Sequence, residues 1–182
     1  SIESYAFSEC TLIQKLIIPS SVERIGKNAF SDCVSLTQLT ISPNVKTIDD
    51  EAFSGCNKLS KITINVFKTT FYANTFSNCP SLNHLIIDDS SKSVSNIYKY
   101  ILVKKMKKIT IPDSITTINN NSFNGCSKLE QIIIPSSVTS IGNNAFEKCS
   151  SIKSIAIPNS VTSIGNNAFF DCSSLTQVII PK

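Results

Sequence analysis

Residues 134–149 read IPSSVTSIGNNAFEKC, and residues 157–172 read IPNSVTSIGNNAFFDC. These nearly identical stretches lie 23 residues apart, and the same spacing recurs along the chain in its cysteines. The seven cysteines are Cys10, Cys33, Cys56, Cys79, Cys126, Cys149 and Cys172. Every interval between them is 23 residues except one of 47, where Val103 occupies the expected position. Self-similarity at a fixed period of about 20–50 residues is typical of solenoids and repeat arrays, so the sequence predicts eight repeats.

Apolar residues keep the same register around each cysteine position. An aromatic residue precedes that position by three: Phe7, Phe30, Phe53, Phe76, Tyr100, Phe123, Phe146 and Phe169. The unit reads I-P-x-S-V-x-x-I-G-x-x-A-F-x-x-C-x-x-L-x-x-I-x-I. Its final alternation of β-branched residues predicts a short strand, and the V-x-x-I part predicts a second, shorter extended piece. The Gly-Asn part predicts a turn or a brief helical coil. One coil cannot bury its own apolar face, so the coils must stack.

This unit resembles the leucine-rich repeat family, and specifically its BspA-like class, which occurs in surface proteins of anaerobic protists and some bacteria. The resemblance implies a leucine-rich-repeat solenoid with a parallel β-sheet on one face and turns and short helical coils opposite. We expect a single domain over residues 1–182, with degenerate repeats near 65–76 and 88–108. The chain starts inside a repeat and ends at Pro181-Lys182 without a capping sequence. We therefore expect a fragment of a longer protein.

The cysteine column has two interpretations. We favour small buried hydrophobic residues stacked on one another. Disulfides between neighbouring coils are the alternative, because stacking brings the Cα atoms within bridging range, although parallel side chains give poor geometry for a bridge. Zinc motifs need cysteine pairs about two to four residues apart, and the sequence has none. No metal and no cofactor is therefore predicted.

Composition and charge argue against several classes of protein. A net charge of +4 with a single arginine, Arg24, argues against nucleic-acid binding. No stretch approaches about 18 uncharged apolar residues, so no membrane span is predicted. His84 is the only histidine, and no motif places a nucleophile beside it, so no catalytic residue is predicted. Paired carboxylates stay open, because parallel solenoids also carry sugar-cleaving enzymes.

Alternation along the predicted strand places two columns of side chains on its outer face. One column is polar and partly basic, and it includes Lys61, His84 and Lys108. The other consists mainly of Ile and Thr, and it includes Thr40, Thr63, Ile86, Thr110 and Ile133. The degenerate repeat adds Lys99, Lys104, Lys105, Lys107 and Lys108. These lysines are interpreted either as a basic patch for an anionic glycan or acidic protein, or as solvated side chains of a decayed repeat.

The sequence thus predicts a non-enzymatic protein-binding or adhesion module that recognises a protein or glycan through its strand face. The resemblance alone implies a cell-surface or extracellular location. The alternatives are a structural spacer or self-assembling stalk, with exposed end strands pairing, and a carbohydrate-active enzyme. One sequon, Asn120-Asn121-Ser122, would permit N-glycosylation of a secreted chain.

Overall fold

The structure, a computed structural model, describes residues 1–65, 69–72, 74–88, 93–94 and 104–180. These residues form fifteen short β-strands, and within the described part only residues 104 and 105 are helical. The chain divides into two compact units, Ser1–Asp88 and Asp89–Lys182. Stacked parallel strands build each unit, which confirms the predicted solenoid. That the whole chain is a single domain stays a prediction.

Eight long strands and seven short strands alternate along the described residues. The long strands are β1 (Lys15–Ile18), β3 (Gln38–Ile41), β5 (Lys61–Ile64), β7 (His84–Ile87), β9 (Lys108–Thr110), β11 (Gln131–Ile133), β13 (Ser154–Ala156) and β15 (Gln177–Ile179). The short strands are β2 (Arg24–Ile25), β4 (Thr47–Ile48), β6 (Thr70–Phe71), β8 (Ser93–Val94), β10 (Thr117–Ile118), β12 (Ser140–Ile141) and β14 (Ser163–Ile164). The short strands are the second extended piece that the V-x-x-I pattern predicts.

Equivalent positions of neighbouring repeats pair in parallel. In Ser1–Asp88 the long strands pair in the order β1-β3-β5-β7, with Leu39 opposite both Leu16 and Ile62. The short strands of that unit pair in the order β2-β4-β6. In Asp89–Lys182 the pairs are β9-β11 and β13-β15, and the short strands follow the order β8-β10-β12-β14. The 23-residue period therefore sets the strand register directly.

The core of each unit is a set of stacked columns. Phe7, Phe30, Phe53 and Phe76 stack face to face with centroids 5.1, 5.3 and 5.5 Å apart. In the second unit Phe123, Phe146 and Phe169 stack at 5.0 and 5.2 Å. Most inward residues of the long strands are also buried, among them Leu39, Ile62, Leu85, Ile109, Ile132 and Ile155. Each coil thus buries its apolar side chains against equivalent side chains of its neighbours, as stacking requires.

The backbone between the short strand and the cysteine follows a tight turn. Two positions in this turn recur with positive φ, at Asn28 (54°) and Asp32 (56°) in one coil and at Asn144 (54°) and Lys148 (60°) in another. Because a residue in this left-handed conformation ends a right-handed helix, the predicted turns are confirmed, whereas the predicted helical coils are nearly absent from the described residues. Asn tolerates the conformation better than most residues, which accounts for its recurrence here.

Hydrogen bonds tie each turn to the next coil. The Phe30 N–H donates to the Ala52 carbonyl at 2.8 Å, and the Phe146 N–H donates to the Ala168 carbonyl at 2.7 Å. On the other side of the coil, the Ser160 hydroxyl donates to the Val138 carbonyl at 2.6 Å. Backbone groups that would otherwise be buried without partners are satisfied in this way.

Parts of both degenerate repeats lie outside the described residues. Phe67, Lys99, Tyr100 and Val103 are among these, so the predictions that concern them stay predictions. A search of the described residues for a helix long and apolar enough to cross a membrane finds none.

Candidate recognition surface

The outer side of β1, β3, β5 and β7 forms a regular surface, which we call the long-strand face of Ser1–Asp88. Along β5 the side chains alternate, with Ile62 and Ile64 buried and Lys61 and Thr63 partly exposed. Neighbouring parallel strands lie about 4.8 Å apart, so equivalent side chains form straight rows across the four strands. The predicted site residues Thr40, Thr63, Lys61, His84 and Ile86 all lie on this face.

One row of this face is polar. Lys15, Gln38, Lys61 and His84 are successive Cα partners across the four strands. Lys15 and Gln38 are exposed, and Lys61 and His84 are half-buried. The structure therefore brings Lys61 and His84 together as predicted from the repeat.

The second row is apolar or β-branched. Ile17 is 61% exposed, and Thr40, Thr63 and Ile86 follow it across the sheet as half-buried residues. This second row gives the face a strip of low polarity next to the polar row. Stiff β-branched side chains lose little freedom on binding, which makes the strip suited to contact with another surface.

The remaining predicted site residues lie in Asp89–Lys182. Lys108 and Thr110 lie half-buried on the outer side of β9, opposite Gln131 and Ile133 of β11. Ile133 is 64% exposed, the counterpart of Ile17 in the first unit. Whether Lys61, His84 and Lys108 act as one patch stays a prediction.

The lysine-rich segment of the second unit has mixed surroundings. Lys104 and Lys105 are exposed. Lys107 is also exposed, but its Nζ lies 2.9 Å from Oε1 of Glu130, so part of its charge is compensated. The basic character that the sequence predicts is therefore carried most fully by Lys104 and Lys105 among the described lysines of this segment.

The cysteine column belongs to the scaffold. All seven cysteines are free thiols, and five of them are buried. A thiol donates to the carbonyl of the phenylalanine 26 residues earlier, as in Cys56 to Phe30 at 3.3 Å and Cys149 to Phe123 at 3.2 Å. The disulfide alternative is thus not the state seen in this structure. No group of three or more His, Cys, Asp or Glu residues in the described ranges could hold a metal ion.

Two of the buried thiols, those of Cys56 and Cys149, are also poor nucleophiles. The hydrogen bond with Cys33, followed by that with Cys79 and by burial, raises the pKa of the Cys56 thiol. The hydrogen bond with Cys126 and burial do the same for the pKa of Cys149. Protonated thiols act as hydrogen-bond donors and do not attack substrates or bind metals.

Two grooves that the sequence reasoning missed lie along the short strands. In Ser1–Asp88 a groove of about 450 Å³ is lined by Arg24, Lys27, Thr47, Asp49, Asp50 and Tyr72. In Asp89–Lys182 a groove of about 750 Å³ runs over β10, β12 and β14 and has only uncharged residues in its lining. The signal in the sequence is the pair of Gly-Asn-Asn triplets at residues 142–144 and 165–167, whose glycines line the second groove and which predict only a turn or a brief helical coil.

Comparison with known proteins identifies the repeat. The chain matches the family described as BspA type leucine rich repeat region, in six copies over residues 1–104 and 95–182. The sequence columns and the long strands number eight, two more than the copies matched. No curated protein matches the chain.

Three solved structures of leucine-rich repeat proteins resemble the chain to different degrees, and the first of them shows the same fold. A leucine-rich repeat protein from Bacteroides ovatus is 24% identical with a TM-score of 0.51, over 96% of this chain and 57% of that one. The T. pallidum leucine rich repeat protein is 25% identical with a TM-score of 0.42, over 92% and 59%. A leucine rich cell surface protein from Faecalibacterium prausnitzii is 24% identical with a TM-score of 0.39, over 98% and 64%. The chain spans less than two thirds of each of these structures. Since the family match covers the whole sequence, the chain belongs to the BspA type leucine-rich repeat family.

Proposed function

We propose that this chain is a non-enzymatic recognition module of a cell-surface or secreted protein, and that it binds a protein partner through the long-strand face of Ser1–Asp88. The observation that carries the proposal is the pair of straight rows on this face, one polar from Lys15 to His84 and one of Ile and Thr from Ile17 to Ile86. Repeat proteins commonly use such extended surfaces for their partners. Membership of the BspA type family supports the surface location.

The chemistry of the face supports contact with a protein. Its Ile and Thr row offers apolar area that can be removed from water, at about 25 cal/mol per Å². Its polar row supplies donors that fix the orientation of a partner. The rows stand on strands with buried inward faces, so the surface is held in place before binding and little ordering is needed.

The proposal is tested with purified extracellular-matrix proteins immobilised for surface plasmon resonance. Thr63 lies on β5 between β3 and β7, so Thr63→Arg places a bulky charge at the middle of the face. We expect affinity to fall about tenfold or more, as for a substitution at the centre of an interface. Thr70→Arg, on the exposed short strand β6 of the same unit, is the matched control and should bind as the parent does. Equal binding by both variants, or no matrix protein bound by the parent, would overturn the proposal.

An anionic glycan is the second candidate partner, favoured by the pairing of Lys61 with His84 and by exposed Lys104 and Lys105. Heparin added to the same panel distinguishes it, because binding to a sulfated chain weakens steeply with salt. Activity on a polysaccharide panel abolished by His84→Ala would instead support an enzyme. A mass that rises with concentration would support a self-assembling stalk.

A further inference from the structure

The groove of about 750 Å³ on the short strands of Asp89–Lys182 shares no residue with the long-strand face of Ser1–Asp88. Its lining contains Thr, Ser, Asn, Gly and Ile residues and no charged side chain. Its volume lies within the range of about 300–1,000 Å³ that is usual for ligand clefts. The groove therefore has the size of a binding site and suits an uncharged, hydrogen-bonding ligand.

A row of asparagines at equivalent positions of successive coils adjoins this groove, where Asn120 belongs to the lining and Asn143 borders it against the lining residue Gly165. The Asn143 N–H donates to Oδ1 of Asn120 at 2.8 Å, and the Asn166 N–H donates to Oδ1 of Asn143 at 2.7 Å. These bonds fix the side-chain amides, which are exposed. Within the part of the chain that the structure describes, Nδ2 of Asn120 and of Asn143 has no intramolecular hydrogen bond. Asn120 thus presents a fixed amide NH₂ donor in the groove, and Asn143 presents an equivalent donor at its border.

Glycines make room for this row. A Cβ on Gly142 would lie 2.5 Å from both the backbone N and Oδ1 of Asn120, closer than real contacts allow. A Cβ on Gly165 would likewise lie 2.4 Å from Oδ1 and 2.5 Å from the backbone N of Asn143. The amides can therefore lie over the backbone of the next coil. Beside them, Ser163 is exposed and Ile164 is 45% exposed, which adds a hydroxyl and an apolar strip to the same groove.

We propose that this groove binds an extended neutral polysaccharide chain lying across the stacked coils. Coils recur about every 4.8 Å, close to the length of one hexose in an extended chain, so successive sugars would meet equivalent donors. Sugar hydroxyls accept from the amide NH₂ groups and exchange hydrogen bonds with the serine hydroxyl. The apolar C–H face of a ring packs on Ile164. The uncharged lining favours an uncharged polysaccharide. A charged ligand would lose part of its hydration in the groove, and no opposite charge in the lining would compensate for that loss.

An extended peptide fits the groove less well. A peptide gains affinity by adding a strand to a free sheet edge. The middle strand β12 already pairs with β10 on one side and β14 on the other. The floor of the groove at β10 and β12 therefore offers side-chain amides and hydroxyls, because these two strands are paired on both sides.

The experiment is isothermal titration of the full chain with soluble cello-, xylo- and manno-oligosaccharides, with carboxymethyl cellulose as the charged comparison. Asn143→Asp keeps an oxygen to accept from the Asn166 N–H and removes only the NH₂ donor. We expect the parent to bind at least one neutral oligosaccharide, and Asn143→Asp to weaken that binding about tenfold. Ser163→Leu, at an exposed position on β14, should weaken it as well by filling the groove.

The matched control is Asp50→Asn, the opposite change at the equivalent position of the first unit, which should leave sugar binding unchanged. Thermal melting of each variant checks that the fold is kept. The proposal is overturned if the parent binds no neutral oligosaccharide, if it binds carboxymethyl cellulose as tightly, or if Asn143→Asp and Ser163→Leu bind as the parent does. Thr63→Arg should retain sugar binding, which separates failure here from failure of the long-strand face.

Discussion

The two short-strand grooves use the same positions of the repeat and carry opposite kinds of side chain. Asp50 in the first groove and Asn120 in the second both lie six residues before a cysteine, and Arg24 occupies the position of Ser140. The first groove is charged and includes the ion pair between Arg24 and Asp49. The second has no charged lining residue. Positions that face away from the core can therefore change their chemistry while the buried columns stay the same.

The two units also differ in charge when all their residues are counted. Residues 1–88 contain seven basic and eight acidic residues, and residues 89–182 contain ten basic and five acidic residues. The stacked phenylalanines and the thiol-to-carbonyl bonds are nevertheless equivalent in both. If the scaffold is independent of the surface, core substitutions should have matching effects in the two units and surface substitutions should not affect stability.

Phe53→Ala and Phe146→Ala should have the largest effects. Each ring is fully buried and is stacked on both sides by other rings. We expect each substitution to lower the free energy of unfolding by about 3–5 kcal/mol, from lost burial and the cavity left behind. Urea unfolding followed by circular dichroism measures this loss.

The matched control for these two is Phe170→Ala, because that ring is 59% exposed. It should change the free energy of unfolding by no more than about 0.5 kcal/mol. A loss below about 1 kcal/mol at either Phe53 or Phe146 would contradict the equivalence of the two units.

Alkaline pH should have the next largest effect, again in both units. The pKa of the Cys56 and Cys149 thiols is raised above the usual 9.0 by hydrogen bonds and burial. The unfolded chain ionises its thiols near that pH while the folded chain keeps them protonated. The stabilisation is therefore complete below pH 9 and is lost as the pH rises above it, by about 1.4 kcal/mol per thiol and pH unit.

The parent is compared with Cys56→Ala and Cys149→Ala under reducing conditions. The difference separates the contribution of these thiols to the pH dependence of stability from the contributions of the lysines and tyrosines. Each variant should show a shallower fall of stability between pH 9 and pH 10. Parallel curves for parent and variants would show that the thiols are not protected as the structure indicates.

Surface ion pairs should have the smallest effect. Lys46 Nζ lies 2.8 Å from Oε2 of Glu23, with both side chains largely exposed. Lys46→Ala should change the free energy of unfolding by less than about 1 kcal/mol, because exposed ion pairs are screened by solvent. Chemical denaturation at low and high salt measures this change in the free energy of unfolding. A loss above about 1 kcal/mol would mean that the charged residues of the first unit support its fold.

The sequence predicted the scaffold because buried columns repeat with little variation. The aromatic and cysteine positions gave the period, and the alternation in KITI at residues 61–64 gave the sheet and its outward residues. The hydrogen bond from each thiol to a phenylalanine carbonyl was not predicted, since it joins residues in different coils. The available signal for this hydrogen bond was the recurrence of cysteine at a position where Ala or Val would fill the space equally well.

The grooves could not be predicted for a related reason. The groove of the second unit includes a left-handed turn position, Asn121, in a segment that the sequence predicts as a turn or a brief helical coil. The row of amides arises only when Asn120 lies over Gly142 and Asn143 lies over Gly165, and no single repeat contains that arrangement. Likewise, the pairing of Lys107 with Glu130 depends on side-chain positions in adjacent coils.

The most direct test of two independent surfaces on one scaffold is a crossed binding measurement with Thr63→Arg and Asn143→Asp. Each variant is titrated with a protein partner and with a neutral oligosaccharide that the parent binds. We predict that Thr63→Arg loses the protein and keeps the sugar, and that Asn143→Asp does the reverse, with both melting as the parent does. If either folded variant lost binding to both ligands, or if it bound both ligands as the parent does, the assignment of the two ligands to different surfaces would be contradicted.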